Sequence, residues 1–182
     1  PSKGVINKDM TALDAARIFE KAGAACISVL TETDYFQGDL DFLEEISAVG
    51  LPMLRKDFIL HPLQIDMTAA TKASAYLLIV RMLGEELGEF IDQGKQYDLE
   101  SVVEVFDMAD LERAKKVGSQ IIQVNNRDLD TLAISLDTSR ELIRHKNDGE
   151  VWICASGISR AEEMQEMSEL GFDACLIGTS IM

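Results

Sequence analysis

An α/β chain of repeated strand–helix units around a parallel sheet is what this sequence predicts, and three observations carry that reading. Ala75 to Val80 (AYLLIV) is unbroken in its hydrophobicity, the pattern of a strand buried on both faces, which belongs to parallel sheets. Short apolar runs alternate with helical periodicity roughly every 20 to 30 residues, the rhythm of β/α units with right-handed crossovers. Polar groups close those runs one after another: Glu32, Lys56, Glu104, Asn125 with Arg127, Ser156 with Gly157, and Gly178 with Thr179. Strands that deliver such groups to one rim are how a (β/α)8 TIM barrel builds an active site.

Each element follows in order. Pro1 to Asn7 reads as a loop, with Pro1, Ser2 and Gly4 as turn formers. Thr11 caps a helix with Asp14 at its third position, and Ala12, Ala15, Ala16 and Phe19 recur at helical spacing up to Gly23. Ala25 to Leu30 has strand length and is closed by Thr31 to Asp34. A second helix around Leu40 to Val49 stops at Gly50, and Leu51 to Arg55 is the next strand. Pro62 stands where a first-turn proline opens a helix through Leu63, Ile65 and Ala69. After AYLLIV, a helix around Glu85 to Gln96 precedes a strand from Ser101 to Val105. Asp107 caps a helix with Leu111, Ala114 and Val117 inward, ahead of a strand from Gln120 to Val124. Asn125 to Asp130 is a polar loop, followed by a helix near Thr138 to His145 and a strand from Val151 to Cys154. Ser159 with Glu162 makes a capping-box pattern for a helix ending near Leu170, and Asp173 to Ile177 is the last strand.

Seven strands result, whereas a closed barrel has eight and typically about 250 residues. The 182 residues therefore read as a single barrel domain without its first strand and last helix, either truncated at both ends or completed by a strand from a partner chain. An open sheet leaves two apolar edges, and self-association through them is the expectation.

The composition, 47% apolar and 27% charged, is that of a globular enzyme rather than a disordered chain. No apolar run approaches the roughly 20 residues of a membrane span and no signal-peptide pattern opens the chain, so a cytoplasmic protein without a membrane partner is expected. A net charge of −15 with no basic stripe excludes nucleic acid as a partner. It also requires that a small anionic substrate be held by local donors, against the overall field. Cys26, Cys154 and Cys175 are odd in number, far apart and inside apolar runs, which predicts buried free thiols rather than disulfides or a zinc site. No metal-ligand spacing or nucleotide-binding glycine loop is present, and His61 and His145 lie off the rim.

Lys56 in Leu54-Arg55-Lys56-Asp57-Phe58 either snorkels to solvent from a strand end or is held in a pocket as an acid. Glu104, set among β-branched residues, either faces solvent or points into the barrel mouth as a proton-transfer group. Ser156-Gly157 and Gly178-Thr179 end the last two strands, where barrels of this class frequently bind phosphate through backbone amides. Asn125 to Asp128 is an ordinary polar turn, or else a place where Arg127 reaches an anion and Asn125 a substrate hydroxyl.

The stretches PSKG at 1–4, SVLTE at 28–32, YFQG at 35–38, LRKDF at 54–58, LLIV at 77–80, VVEVFD at 102–107, NNRDL at 125–129, SGI at 156–158 and LIGTS at 176–180 run in order through the chain. Together they resemble the indole-3-glycerol phosphate synthase family. The resemblance implies a (β/α)8 barrel and, in tryptophan biosynthesis, the ring closure of 1-(2-carboxyphenylamino)-1-deoxyribulose 5-phosphate with loss of CO2 and water. It implies no external cofactor. By the same resemblance Lys56 is the general acid, Glu104 the general base of the dehydration, and Asn125 and Arg127 position the substrate, Arg127 near its anionic groups. Ser156, Gly157, Gly178 and Thr179 match the phosphate-binding backbone, and Glu32 and Phe36 fall on the rim as substrate-binding residues. The chain begins after the family's first strand, which carries a glutamate and a second lysine. Ala155 stands where the family usually has a glutamate, and Phe106 replaces a frequent histidine. Two other readings compete: a phosphoribosylanthranilate isomerase-like barrel, which shares the phosphate site but does not need Lys56, and a non-catalytic barrel fragment that binds phosphate ligands.

Overall fold

The computed structural model describes residues 10–128 and 131–181, so the expected loop from Pro1 to Asn7 lies outside the described residues. Two compact units divide the chain, one up to Leu77 together with Asp92–Glu100, the other Leu78–Ile91 with the residues from Ser101 onward.

In the first unit, α1 (Ala12–Lys21) opens at Thr11, whose hydroxyl accepts from the Asp14 amide as its sequence position predicts. It is followed by β1 (Ile27–Leu30), α2 (Phe42–Ile46) with a 3-10 turn over Ser47–Val49, β2 (Met53–Lys56), α3 (Pro62–Ala69) and β3 (Ala75–Ile79), whose last two residues belong to the second unit. The strands are parallel, with Ile27 beside Met53, Leu30 beside Lys56 and Leu54 beside Ala75. Alternation sorts the side chains: Ile27, Val29 and Met53 join Ala16, Leu43 and Ile46 in the core against the helices. Leu54 and Lys56 consequently take the opposite face of β2. His61 is a helix cap, its Nδ1 accepting from the Leu63 amide ahead of Pro62.

The second unit holds the short α4 (Val80–Leu83), the start of α5 (Leu87–Lys95), and β4 (Glu100–Val105) from Ser101 onward. Next come α6 (Met108–Lys116), β5 (Ile121–Asn125), α7 (Asp137–Leu142), β6 (Val151–Ala155), α8 (Ala161–Leu170) and β7 (Ala174–Leu176). All of its strand pairs are parallel, with Glu104 beside Gln123, Asn125 beside Ala155 and Ala155 beside Leu176. On one face, Trp152 meets Phe172 edge-on at 6.3 Å and Cys154 reaches Ser139 of α7. Glu104, Gln123, Asn125, Ile153 and Ala155 occupy the other face by strand alternation.

Two sequence expectations need correction here. The last long helix is capped one residue later than predicted: Glu163, rather than Glu162, accepts from the Ser159 and Arg160 amides, so the first turn starts after Arg160. The three cysteines are not all buried and apart. Cys26 is exposed, while Cys154 and Cys175 are register partners on adjacent strands. Sequence distance hid that proximity because one β/α unit brings residues 21 positions apart side by side.

Trp152, the single tryptophan, sits between two clamps. Its indole Nε1 donates to Glu150 at 2.8 Å and its amide to Asp173 at 2.6 Å, while Lys115 and Lys146 pair with those carboxylates. Burial pulls both carboxyls up, but the Asn147 amide and Lys115 at Glu150, and Lys146 and the Trp152 amide at Asp173, hold each below its ordinary value. A depressed folded-state value gives stability that is fully present above the unfolded value, about 4, and is lost as pH falls through the depressed one. Trp152 emission is therefore expected to stay constant from neutral pH down to about 4 and to shift red below it. An acid titration of the fluorescence checks this, and a transition complete by about pH 5 contradicts it.

Candidate active site

At the end of β2 the sequence Arg55-Lys56-Asp57 alternates sides. Arg55 is 3% exposed, and its guanidinium donates to Asp57 Oδ2, the Gln64 carbonyl and the Thr68 hydroxyl at 2.8–3.1 Å. Thr31 at the end of β1 donates to the same Asp57 oxygen at 2.7 Å. This clamp ties β1, β2 and α3 together and turns Lys56 to the other side. There Lys56 is half-buried, lies 5.7 Å from the centre of the Phe36 ring, and is in no ion pair among the described residues.

Phe36 packs on Phe58 at 5.4 Å, and Tyr35 meets Phe58 edge-on at 5.9 Å. Glu32 builds the loop that carries Phe36: its two carboxylate oxygens accept from the amides of Asp34, Tyr35 and Phe36 at 2.6–3.0 Å. Gly38 closes that loop against β1, where a Cβ would strike the backbone of Leu30 and Thr31.

In the second unit, Glu104 is 2% exposed on β4 and accepts from the Gln123 side chain. Solvent exposure, the alternative left open by the sequence, does not hold. Asn125 ends β5 on the same face, and its Oδ1 accepts from the Arg127 amide at 3.0 Å, which leaves Nδ2 as a donor. Arg127 is half-buried and, among the described residues, its guanidinium is in no ion pair. A cleft of about 140 Å³ borders Asn125, lined also by Phe106, Asp128, Ser135, Thr138 and Arg81. Arg81 is held by Asp107 and Asp110 at 2.7 and 2.9 Å and lies 4.5 Å from the centre of the Phe106 ring. Phe106 thus lies beneath a guanidinium at the cleft wall.

The two glycine turns are brought together. Ser156 and Gly157 follow β6 with φ of +66° and +90°, a reversal that a non-glycine residue adopts only under constraint. The constraint comes from Asn126, which is buried and whose Nδ2 donates to the Ala155 and Ser156 carbonyls and to Cys154 Sγ, while its Oδ1 accepts from the Ser139 amide. The Ser180 hydroxyl donates to the Ile158 carbonyl at 2.8 Å and joins the turn after β7 to the turn after β6. Gly178 and Thr179 are exposed, and nothing stands within 4 Å of the position a Cβ on Gly178 would take, so the backbone there is open to a ligand.

Cys154 has two polar neighbours and the Cys175 thiol beside it. The Cys175 thiol, then Ser139 and Asn126, lower the pKa of Cys154 against its burial. Among the described residues, no group of three or more His, Cys, Asp or Glu side chains is placed to hold a metal ion. No helix among them is long and apolar enough to cross a membrane.

Comparison with known proteins settles the relationship. The whole chain, residues 1–182, matches the family described as indole-3-glycerol phosphate synthase. The chain belongs to the indole-3-glycerol phosphate synthase family. Proteins of that name from Aquifex aeolicus and Streptococcus mutans are each 42% identical, with 100% of this chain aligned to 72% of theirs. One from Thermoanaerobacter pseudethanolicus is 39% identical over 100% of this chain and 70% of its own.

Among solved structures, 3-hexulose-6-phosphate synthase from Salmonella typhimurium superposes with a TM-score of 0.78 at 14% identity, over 96% of this chain and 87% of that one. N-acetylmannosamine-6-phosphate 2-epimerase from Clostridium perfringens gives 0.74 at 17% identity, over 97% and 83%. At such identities the likeness is one of fold, the (β/α) TIM barrel. Of the stretches that resemble the indole-3-glycerol phosphate synthase family, PSKG and Leu129 of NNRDL lie outside the described residues. Ala155, at the position of a usual family glutamate, is buried beside Asn125.

Proposed function

We propose that this chain performs the family's ring closure with Lys56 as general acid and Glu104 as general base. The observation that carries the assignment is the half-buried Lys56 at the end of β2, in no ion pair among the described residues and held off the helix side by the Arg55–Asp57 clamp. An ammonium beside an aromatic ring and free of carboxylates has its proton available to an incoming carbonyl oxygen. As the carboxylate-bearing ring carbon of 1-(2-carboxyphenylamino)-1-deoxyribulose 5-phosphate attacks that carbonyl, Lys56 protonates the oxygen. CO2 then leaves with its electron pair returned to the ring system. In the dehydration Lys56, reprotonated from solvent, gives the new hydroxyl a second proton so that it departs as water, and Glu104 takes up the proton released from the adjacent carbon as the indole double bond forms. Asn125 Nδ2 and the Arg127 guanidinium position the substrate, Arg127 at an anionic group. The phosphate sits at the backbone amides of Ser156, Gly157, Gly178 and Thr179. Glu32 acts at one remove, by shaping the loop that presents Phe36 to the anthranilate ring.

Mixing the 182-residue chain with this substrate and following indole fluorescence tests the reading. Product formation is expected, and absence of turnover at substrate saturation overturns it.

A further inference from the structure

Glu104 and Gln123 face each other across β4 and β5, yet the mechanism above uses only the first. They are register partners, 2% and 1% exposed, and Gln123 Nε2 donates to Glu104 Oε2 at 2.5 Å. Packing gives no reason for an amide at this position. Its neighbours on the same face along and across the strands include Ile121 and Ile153, and its own Oε1 is buried with no hydrogen-bond partner among the described residues. A buried amide with one unpaired oxygen is a net liability to the fold, and an apolar side chain of the same length removes it.

We propose that Gln123 is a positioning residue for Glu104, an inference that rests on Glu104 being the general base. Its amide takes Oε2, fixes the rotation of the carboxylate, and leaves Oε1 as the oxygen presented to the substrate. A neutral donor does this without the cation that would keep the carboxylate ion-paired. The reverse amide orientation sets oxygen against oxygen and requires a proton on Glu104, which is incompatible with a base. The two residues form one device, the acceptor on β4 and its orienting amide on β5, with Asn125 next along the same face.

Steady-state kinetics of the full chain on the carboxyphenylamino-ribulose phosphate tests the proposal. Gln123→Met is expected to lower kcat about 10- to 100-fold with KM within twofold, and to leave the melting temperature unchanged or raised. Gln123→Leu, apolar and lacking the donor, is expected to lose kcat likewise, and it decides the matter should the methionine variant fail to fold. In a Glu104→Gln background the methionine substitution is expected to change the residual rate by less than twofold, because its route of action is gone. A Gln123→Met enzyme with kcat within twofold of the parent, or with an equal loss in both backgrounds, overturns the proposal while leaving the function standing. Full kcat in Glu104→Gln alone overturns the base assignment and this proposal with it.

Discussion

Lys56→Ala is expected to lower kcat for ring closure by about 10²- to 10⁴-fold, the range typical of a positioned general acid. Affinity for the substrate is expected to change little, because the turns proposed to take the phosphate lie in the second unit and make no use of this lysine. Thermal stability is also expected to hold. Lys56 is in no ion pair among the described residues, and its principal described neighbour is the Phe36 ring at 5.7 Å. Lys56→Arg is not expected to rescue the rate: guanidinium is a far weaker acid than ammonium, and its planar fork does not fit the same space over Phe36. Indole fluorescence gives kcat and KM, and a melt of each variant separates chemistry from folding. Turnover of Lys56→Ala within tenfold of the parent sinks the assignment.

Periodicity made the strands and helices of this chain readable, and strand alternation explains which site residues could be picked out. Lys56 and Glu104 were visible because each is a charge at or near the end of an apolar run. Their partners were not. Arg55 and Asp57 look like further surface charge in a linear reading, yet they turn to the helix side, where Gln64, Thr68 and Thr31 complete the network. Asn126 was hidden in the same way. In the Asn125-Asn126 pair, alternation sends one side chain to the site face and the other into the sheet, where it holds the Ser156-Gly157 reversal. Gln123 carried one signal, a polar residue at the centre of Ile121-Ile122-Gln123-Val124, but its partner Glu104 lies 19 positions away and register alone joins them. What a single sequence withholds is pairing across strands, which sets both buried polar networks and the Cys154–Cys175 proximity.

Asp57→Ala is expected to be the most damaging single substitution to the first unit. It leaves the Arg55 guanidinium, 3% exposed, without its counter-charge, and removing one member of a buried pair typically costs about 3–5 kcal/mol. For a chain of this size that corresponds to a fall in melting temperature of roughly 6–20 °C. Arg55→Met is expected to cost less, because Thr31 and the Phe58 amide still satisfy Asp57. Replacing both, Arg55→Met with Asp57→Asn, removes the orphaned charge and is expected to be more stable than Asp57→Ala alone, a non-additivity that a thermal-melt cycle measures. The same cycle bears on chemistry. If the clamp serves to aim Lys56, the double variant regains stability relative to Asp57→Ala without regaining kcat, since nothing then holds the end of β2 against α3. Recovery of stability and rate together would mean that Lys56 finds its place without the clamp, and that Arg55 and Asp57 serve the fold alone.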